Sequence, residues 1–181
     1  MSPTSTQSVR LIILCGLPFA GKSTLAEALA QRFGWSVIAI DAVNHERGLG
    51  ANGAPITLEQ WDATYADAYR RLQEALDGGN TVVFDAVSFT WAQREDLRAI
   101  AAKRGASPLV IYLDTSASVC RERWLANRRT GARYDVRNED FEHVVAHFEP
   151  PVPDERSVVY DQSAPPDGWI ERIFASSAEK G

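Results

Sequence analysis

The sequence predicts an α/β fold, a three-layer sandwich in which a parallel β-sheet is covered by helices on both faces. Two observations carry this. Short apolar runs alternate with helix-patterned segments along the whole chain, the mark of βαβ units and a parallel sheet. The first of those runs, residues 9–15, passes through a glycine-rich turn directly into a helical pattern. No internal repeat or linker divides the chain, so the reading is a disordered polar start over residues 1–8 and a single domain over 9–181.

The elements follow in order. After the strand over 9–15, Leu25, Ala28, Leu29 and Phe33 recur at helical spacing from Lys22 onward, and Gly34 ends that helix. Residues 35–40 read as a second, mostly buried strand closing on Asp41. The stretch 41–56 carries Gly48, Gly50, Gly53 and Pro55 and is expected to be a mobile loop. Thr57-Leu58-Glu59-Gln60 fits a capping box, opening a helix whose stripe is Trp61, Tyr65, Ala68, Tyr69, Leu72 and Leu76.

Residues 81–84 form the third strand, ending on Asp85. A second capping box, Thr90 with Gln93, opens a helix to about Arg104. The fourth strand covers 109–113, and an arginine-rich helix runs from Ser116 to about Arg129, where Gly131 breaks it. Asn138 is expected to cap a short helix that buries Phe141, Val144, Val145 and Phe148. Pro150, Pro151 and Pro153 force an extended connection to a fifth strand, 157–160, and a final helix over 168–175.

Residues 16–24, Gly-Leu-Pro-Phe-Ala-Gly-Lys-Ser-Thr, fit G-x-x-x-x-G-K-[ST] in the strand–loop–helix setting that this phosphate-binding loop requires. Gly16 and Gly21 permit a tight turn whose backbone N–H groups, Ala20's among them, face a polyphosphate. Lys22 brings a charge to the β- and γ-phosphates, Ser23 and Thr24 supply hydroxyls to phosphate and Mg²⁺, and the helix N-terminus favours an anion. The chain is expected to bind a nucleoside triphosphate.

Composition bounds the rest. With 45% hydrophobic and 24% charged residues the 181-residue chain is an ordinary globular protein. A net charge of −5 weighs against a broad, sequence-independent grip on nucleic acid. Cys15 and Cys120 stand in neither a C-x-x-C nor a metal-type spacing, so buried thiols in a reducing compartment are expected. No apolar run suggests a signal peptide or a membrane span, and the expectation is a cytoplasmic protein.

Ligands of such sheets sit beyond the carboxyl ends of the strands, which singles out Asp41, Asp85 and Asp114. Asp114 suits a helix cap, since Thr115-Ser116 begins a helix at once. Asp41 and Asp85 suit phosphoryl transfer: one accepts the proton of an attacking hydroxyl while the other orients Mg²⁺, and the residues alone leave open which does which. Arg121, Arg123, Arg128, Arg129, Arg133 and Arg137 cluster within seventeen positions. Guanidinium groups can neutralise a transferring phosphoryl group, and Arg128 and Arg133, flanking Gly131, are the two expected to reach the nucleotide. His143 and His147, four positions apart, have the spacing to share a metal but lack a third ligand and read as exposed; Trp61, Tyr65 and Tyr69 look like a cofactor-stacking row but read as core.

The order of these features resembles the P-loop kinases of the polynucleotide kinase and zeta-toxin type. The features are the phosphate loop, a strand ending in Asp41, Val82-Val83-Phe84-Asp85-Ala86-Val87-Ser88-Phe89 leading to Gln93-Arg94, the arginine segment and Phe148-Glu149-Pro150-Pro151. The resemblance implies a P-loop NTPase-type sheet of five parallel strands ordered 2-3-1-4-5 and a helical lid at about 121–140. It also implies transfer of the ATP γ-phosphoryl group to a hydroxyl, with Mg²⁺ as cofactor. By position, Asp41 corresponds to the general base at the acceptor, and Asp85 to the acidic residue after the third strand.

The departures fall on the acceptor side. Asn44 stands where polynucleotide kinases of this type carry an arginine that holds a substrate phosphate, with Arg47 further on, and Ser88 replaces the asparagine of D-x-[TS]-N. Asp41, Asn44, Arg47, Ser88 and Arg94 are therefore the expected acceptor-side residues. With the acidic charge, these departures favour a kinase acting on a small hydroxylated molecule, as in sugar, shikimate or antibiotic kinases. A 5′-hydroxyl polynucleotide kinase and a nucleotide-dependent switch or ATPase without an acceptor are the alternatives. Oligomeric state and the identity of the acceptor are left open by the sequence.

Overall fold

A computed structural model of the chain describes residues 9–50, 54–131 and 135–175; the tail over 1–8 and Arg133 lie outside the described residues. Five strands alternate with helices: β1 (Val9–Cys15), α1 (Lys22–Phe33), β2 (Ser36–Ala39), α2 (Ile40–Glu46), α3 (Leu58–Asp77), β3 (Val82–Asp85), α4 (Trp91–Ala102), β4 (Ser107–Leu113), α5 (Ala117–Thr130), α6 (Asn138–His147), β5 (Ser157–Tyr160) and α7 (Pro166–Ala175). The sheet order is β2-β3-β1-β4-β5 and every pairing is parallel. This is the 2-3-1-4-5 sheet of P-loop NTPase-type kinases.

Strand alternation sends successive side chains to opposite faces, so β1 builds two cores at once. Leu11, Ile13 and Cys15 pack with Phe84 and Val110 against Ala68, Leu72 and Leu76 of α3 and Leu97 and Ala101 of α4. Ile12 and Leu14 pack with Val83, Ile111 and Leu113 against Leu25 and Leu29 of α1, Trp124 of α5, Phe141 of α6 and Trp169 of α7. Cys15 and Cys120 are both buried free thiols. No helix among the described residues is long and apolar enough to cross a membrane.

Both capping boxes form: Thr57 Oγ1 accepts from Gln60 N and Thr90 Oγ1 from Gln93 N, each at 3.2 Å. Three local expectations are corrected. The loop expected over 41–56 opens instead with α2, which holds no Gly or Pro and buries Ile40, Val43 and Asn44. Ser116, not Asp114, caps α5, because its Oγ reaches Val119 N while Asp114 accepts from the Tyr112 hydroxyl. Asn138 is the first residue of α6 rather than its cap; Arg137 holds the cap position, with no side-chain capping bond to the helix N-terminus.

Candidate functional site

The turn after β1 is fixed by its own backbone and by its neighbours. Gly16 N donates to Val87 O at 3.2 Å and Ala20 N to Leu17 O at 3.1 Å. A Cβ on Gly16 would stand 3.0 Å from the Leu113 carbonyl oxygen, so the close approach to β4 admits no side chain. Gly21 caps α1 at φ 103°, a left-handed conformation that costs glycine alone little. Phe19, Ser88 and Gln162 are also left-handed, at φ 63°, 46° and 60°. All three lie in loops at the carboxyl edge of the sheet, where strained backbone commonly accompanies a site.

Lys22 is buried, and its Nζ donates to the carbonyls of Gly16 at 3.1 Å and Leu17 at 2.7 Å. Burial pushes its pKa down, while the charges of Asp85 and Asp41 push it up. The register explains why those carboxylates are near. Ala39 at the end of β2 pairs with Asp85 at the end of β3, so Asp41, in the first turn of α2, leaves the sheet beside Asp85. Burial raises the Asp41 pKa, the neighbouring Asp85 charge raises it further, and Lys22 acts in the opposite sense.

Lys22, Ser23, Asp41 and Asp85 line one cleft of about 230 Å³. Its far wall is Ile40, Ala54, Ile56, Trp61, Tyr65, Val136 and Val144, and Asp135, Arg137 and Asp140 form part of its rim. A second, wider cavity of about 710 Å³ opens on the other side of the phosphate loop, between Thr24 and Arg123, Asn127, Gln162 and Ser163. Gly21 and Phe19 border both. Arg123 Nη1 donates to the carbonyls of Phe19 and Ala20, each at 3.3 Å, and its Nη2 to Gln162 Oε1 at 2.9 Å. Gln162 Nε2 donates to Ala20 O and Thr115 Oγ1.

The fold brings Gly16, Ala20, Gly21, Lys22, Ser23, Thr24, Asp41 and Asp85 together, and of the other expected site residues that are described it sets Asn44, Arg47, Ser88, Arg94 and Arg128 apart from them. Asn44 is wholly buried between α2 and α3, its Oδ1 accepting from Thr64 Oγ1 at 2.8 Å, because Asn44 and Val43 fall on the inner side of a helix the sequence did not announce. Arg94 is also wholly buried. It grips both carboxylate oxygens of Glu155 and donates to Ser88 O at 2.9 Å, so it holds the loop after Asp85 from behind. Ser88 is buried with it. Arg47 is exposed and leans on Ala63 O at 3.5 Å, outside the cleft lining. Arg128 stacks 4.2 Å over Trp124 and pairs with Asp135, bordering neither cavity. His143 and His147 pack ring to ring at 4.3 Å, and no group of three His, Cys, Asp or Glu suited to a metal occurs among the described residues.

Several residues that line the two cavities were given no site role by sequence. Trp61 and Tyr65 read as core, yet both reach the cleft as well as packing on the core. Arg123 and Arg137 were not distinguishable among six similar arginines. Gln162, in a loop after an edge strand, gave no signal at all.

Across residues 11–151 the chain matches the family model described as an AAA domain. The chain belongs to that P-loop family. No curated protein matches it. Among solved structures, this AAA domain is similar to a proposed kinase from Chloroflexus aurantiacus J-10-fl, with a TM-score of 0.72 at 20% identity, covering 97% of this chain and 99% of that one. A gluconokinase from Sinorhizobium meliloti 1021 gives 0.63 at 23% identity over 93% of this chain and 91% of its own. The Mycobacterium tuberculosis APS kinase CysC, solved with AMPPNP and APS, gives 0.60 at 20% identity over 94% and 98%. At these identities the likeness concerns the fold.

Proposed function

We propose that this AAA domain is an ATP-dependent phosphotransferase that moves the γ-phosphoryl group to a hydroxyl of a small molecule. The observation that supports this best is the continuity of the phosphate loop with the 230 Å³ cleft on the Asp41 side. A protein that only holds or hydrolyses a nucleotide needs no such cleft beside the phosphate loop.

The residues divide by position. The loop N–H groups and Lys22 bind the triphosphate, and the second cavity, with Thr24, Arg123 and Gln162 on its walls, is the place for the nucleoside. Ser23 and Asp85 offer a hydroxyl and a carboxylate beside Lys22, a donor set of the hard oxygen kind that suits Mg²⁺. They would hold that ion, which when bound neutralises charge on the phosphates.

Asp41 accepts the acceptor's hydroxyl proton. The freed oxygen forms a bond to the γ-phosphorus, the bond from that phosphorus to the bridging oxygen breaks, and ADP leaves with the electron pair. A carboxylate whose pKa is raised toward the working pH is a better proton acceptor than an exposed one. Burial and the Asp85 charge raise that of Asp41.

The test is transfer of label from [γ-³²P]ATP to a pool of hydroxylated metabolites, with wild type and Asp41→Asn compared. Labelled product that disappears in the variant is expected. No product from any pool, or a fully active Asp41→Asn protein, overturns the reading.

A further inference from the structure

The chemistry of the acceptor follows from what the cleft can and cannot satisfy. Resting on the kinase reading above, we infer that the acceptor is an arylalkyl alcohol that carries no negative charge, rather than a polyol, a sugar acid or a phosphorylated compound.

Three observations carry this. The first is the far wall. Trp61 and Tyr65 stand one turn apart on α3 with ring centroids 6.3 Å apart, and Tyr65 is backed by Tyr69 at 6.0 Å, which rests on Phe84 in the core. Ile40, Ala54, Ile56, Val136 and Val144 complete that wall. It offers two tilted aromatic rings and five aliphatic side chains, with the Trp61 indole N–H and the Tyr65 hydroxyl as its side-chain hydrogen-bonding groups. A hydroxyl buried there without a partner costs about 1–3 kcal/mol, and a polyol would bury several.

The second is charge. Among the described lining residues four are carboxylates (Asp41, Asp85, Asp135, Asp140) and two are cations (Lys22, Arg137). Lys22 belongs to the phosphate loop. Arg137 is bridged to Asp140 at 2.9 Å and to Glu139 at 3.4 Å, and Asp135 to Arg128 at 3.3 Å. Among the described lining residues an anionic acceptor would meet more negative than positive charge.

The third is the position of the basic and amide groups that could have held a substrate phosphate. Of the described candidates, Arg94 is bound to Glu155 in the core, Asn44 is wholly buried off the cleft lining with its Oδ1 held by Thr64, and Arg47 lies outside the cleft. The volume agrees with this chemistry. A cavity of roughly 150 Å³ admits one benzene ring, and 230 Å³ adds room for a hydroxyalkyl arm reaching Asp41.

The test compares 2-phenylethanol and phenylalaninol with D-gluconate, D-glucose and a 5′-hydroxyl oligonucleotide as acceptors of label from [γ-³²P]ATP. ATP binding is measured separately by calorimetry. At least tenfold higher kcat/KM for an aryl alcohol than for gluconate or glucose is expected. Trp61→Ala should raise the aryl alcohol's KM at least tenfold with a smaller change in kcat, and Trp61→Phe, which keeps a flat ring, should recover most of it. Preferred labelling of gluconate, glucose or the oligonucleotide overturns the inference and leaves the kinase reading standing. Failure to label either aryl alcohol while ATP binds also overturns it. Failure to bind ATP overturns both.

Discussion

Arg94 and Glu155 form a two-point bond in the core: Nε and Nη2 of Arg94 donate to the two carboxylate oxygens of Glu155 at 2.7 and 2.8 Å. Their side chains are 0% and 2% exposed. The pair joins α4 to the proline-rich connection before β5. Through Ser88 O it also fixes the segment whose Val87 carbonyl accepts from Gly16. A structural bond thus lies two residues behind the phosphate loop.

Removing one partner of a buried pair leaves the other charge uncompensated, at a cost of about 3–5 kcal/mol. Glu155 keeps its bonds from Arg98 and Val152 N, so Arg94→Met is expected to lose less than that, about 1–3 kcal/mol, read as a lower midpoint in chemical denaturation with an unchanged m-value. Because the arginine also holds Ser88, the folded remainder should bind nucleotide more weakly. A variant as stable as wild type would contradict the burial of this pair.

The same pair sets the acid limit of the fold. Burial pushes the Glu155 carboxyl up, but hydrogen bonds from Arg94, Val152 N and Arg98 outweigh it and leave the pKa at about 2, against 4.5 unperturbed. A depressed carboxyl stabilises the fold fully above its unfolded pKa and loses that contribution as pH falls toward the folded one. Stability is therefore expected to drop between pH 4.5 and about 2, by roughly 3 kcal/mol from this group. Glu155→Gln should flatten that part of the profile, which denaturant melts at several pH values will show.

The strands, their parallel pairing and the phosphate loop were legible because each rests on local pattern: apolar runs, two capping boxes and a nine-residue motif. The helix after β2 was not, because its seven residues have no side-chain cap and are held by burial of Ile40 and Val43, a tertiary effect. Asp41 and Asp85 could be placed at the sheet edge from the strands they close. Arg94 and Asn44 could not be placed, since nothing local tells an arginine facing a cleft from one facing Glu155 across 61 residues. The arginines of α5 are the sharpest case. Arg123 and Arg128 are five positions apart on α5, and only the packing of that helix against the phosphate loop sorts them.

Asp41 should give the reaction an acid limb. Its pKa is raised by burial and by the Asp85 charge, so kcat/KM is expected to fall with decreasing pH at a value above the ordinary 3.8 of an aspartate. Asp85→Asn removes one of the two raising influences, so in the residual activity of that variant the limb should move to lower pH. The same substitution removes a charge that holds the Lys22 pKa up, so activity at high pH should decline earlier. Asp41→Asn should reduce kcat by about 10²–10⁴-fold, the usual contribution of a general base. Pre-steady-state and pH-rate measurements on the three proteins test this.

The last prediction separates the two arginines. Arg123 already touches the phosphate loop, donating to Phe19 O and Ala20 O, and it borders the cavity proposed for the nucleoside. Arg128 is held over Trp124 and against Asp135. Charged hydrogen bonds contribute about 1.5–3 kcal/mol each when made to a ligand or its cradle, so Arg123→Ala should weaken ATP binding by roughly tenfold or more. Arg128→Ala loses a half-exposed ion pair and a cation–π contact, and its main effect should be about 1 kcal/mol of stability. Calorimetric ATP affinities and thermal melts of both variants decide it. A loss of ATP affinity in Arg128→Ala greater than in Arg123→Ala would mean that α5 turns on nucleotide binding, bringing Arg128 to the phosphates and moving Arg123 off the loop.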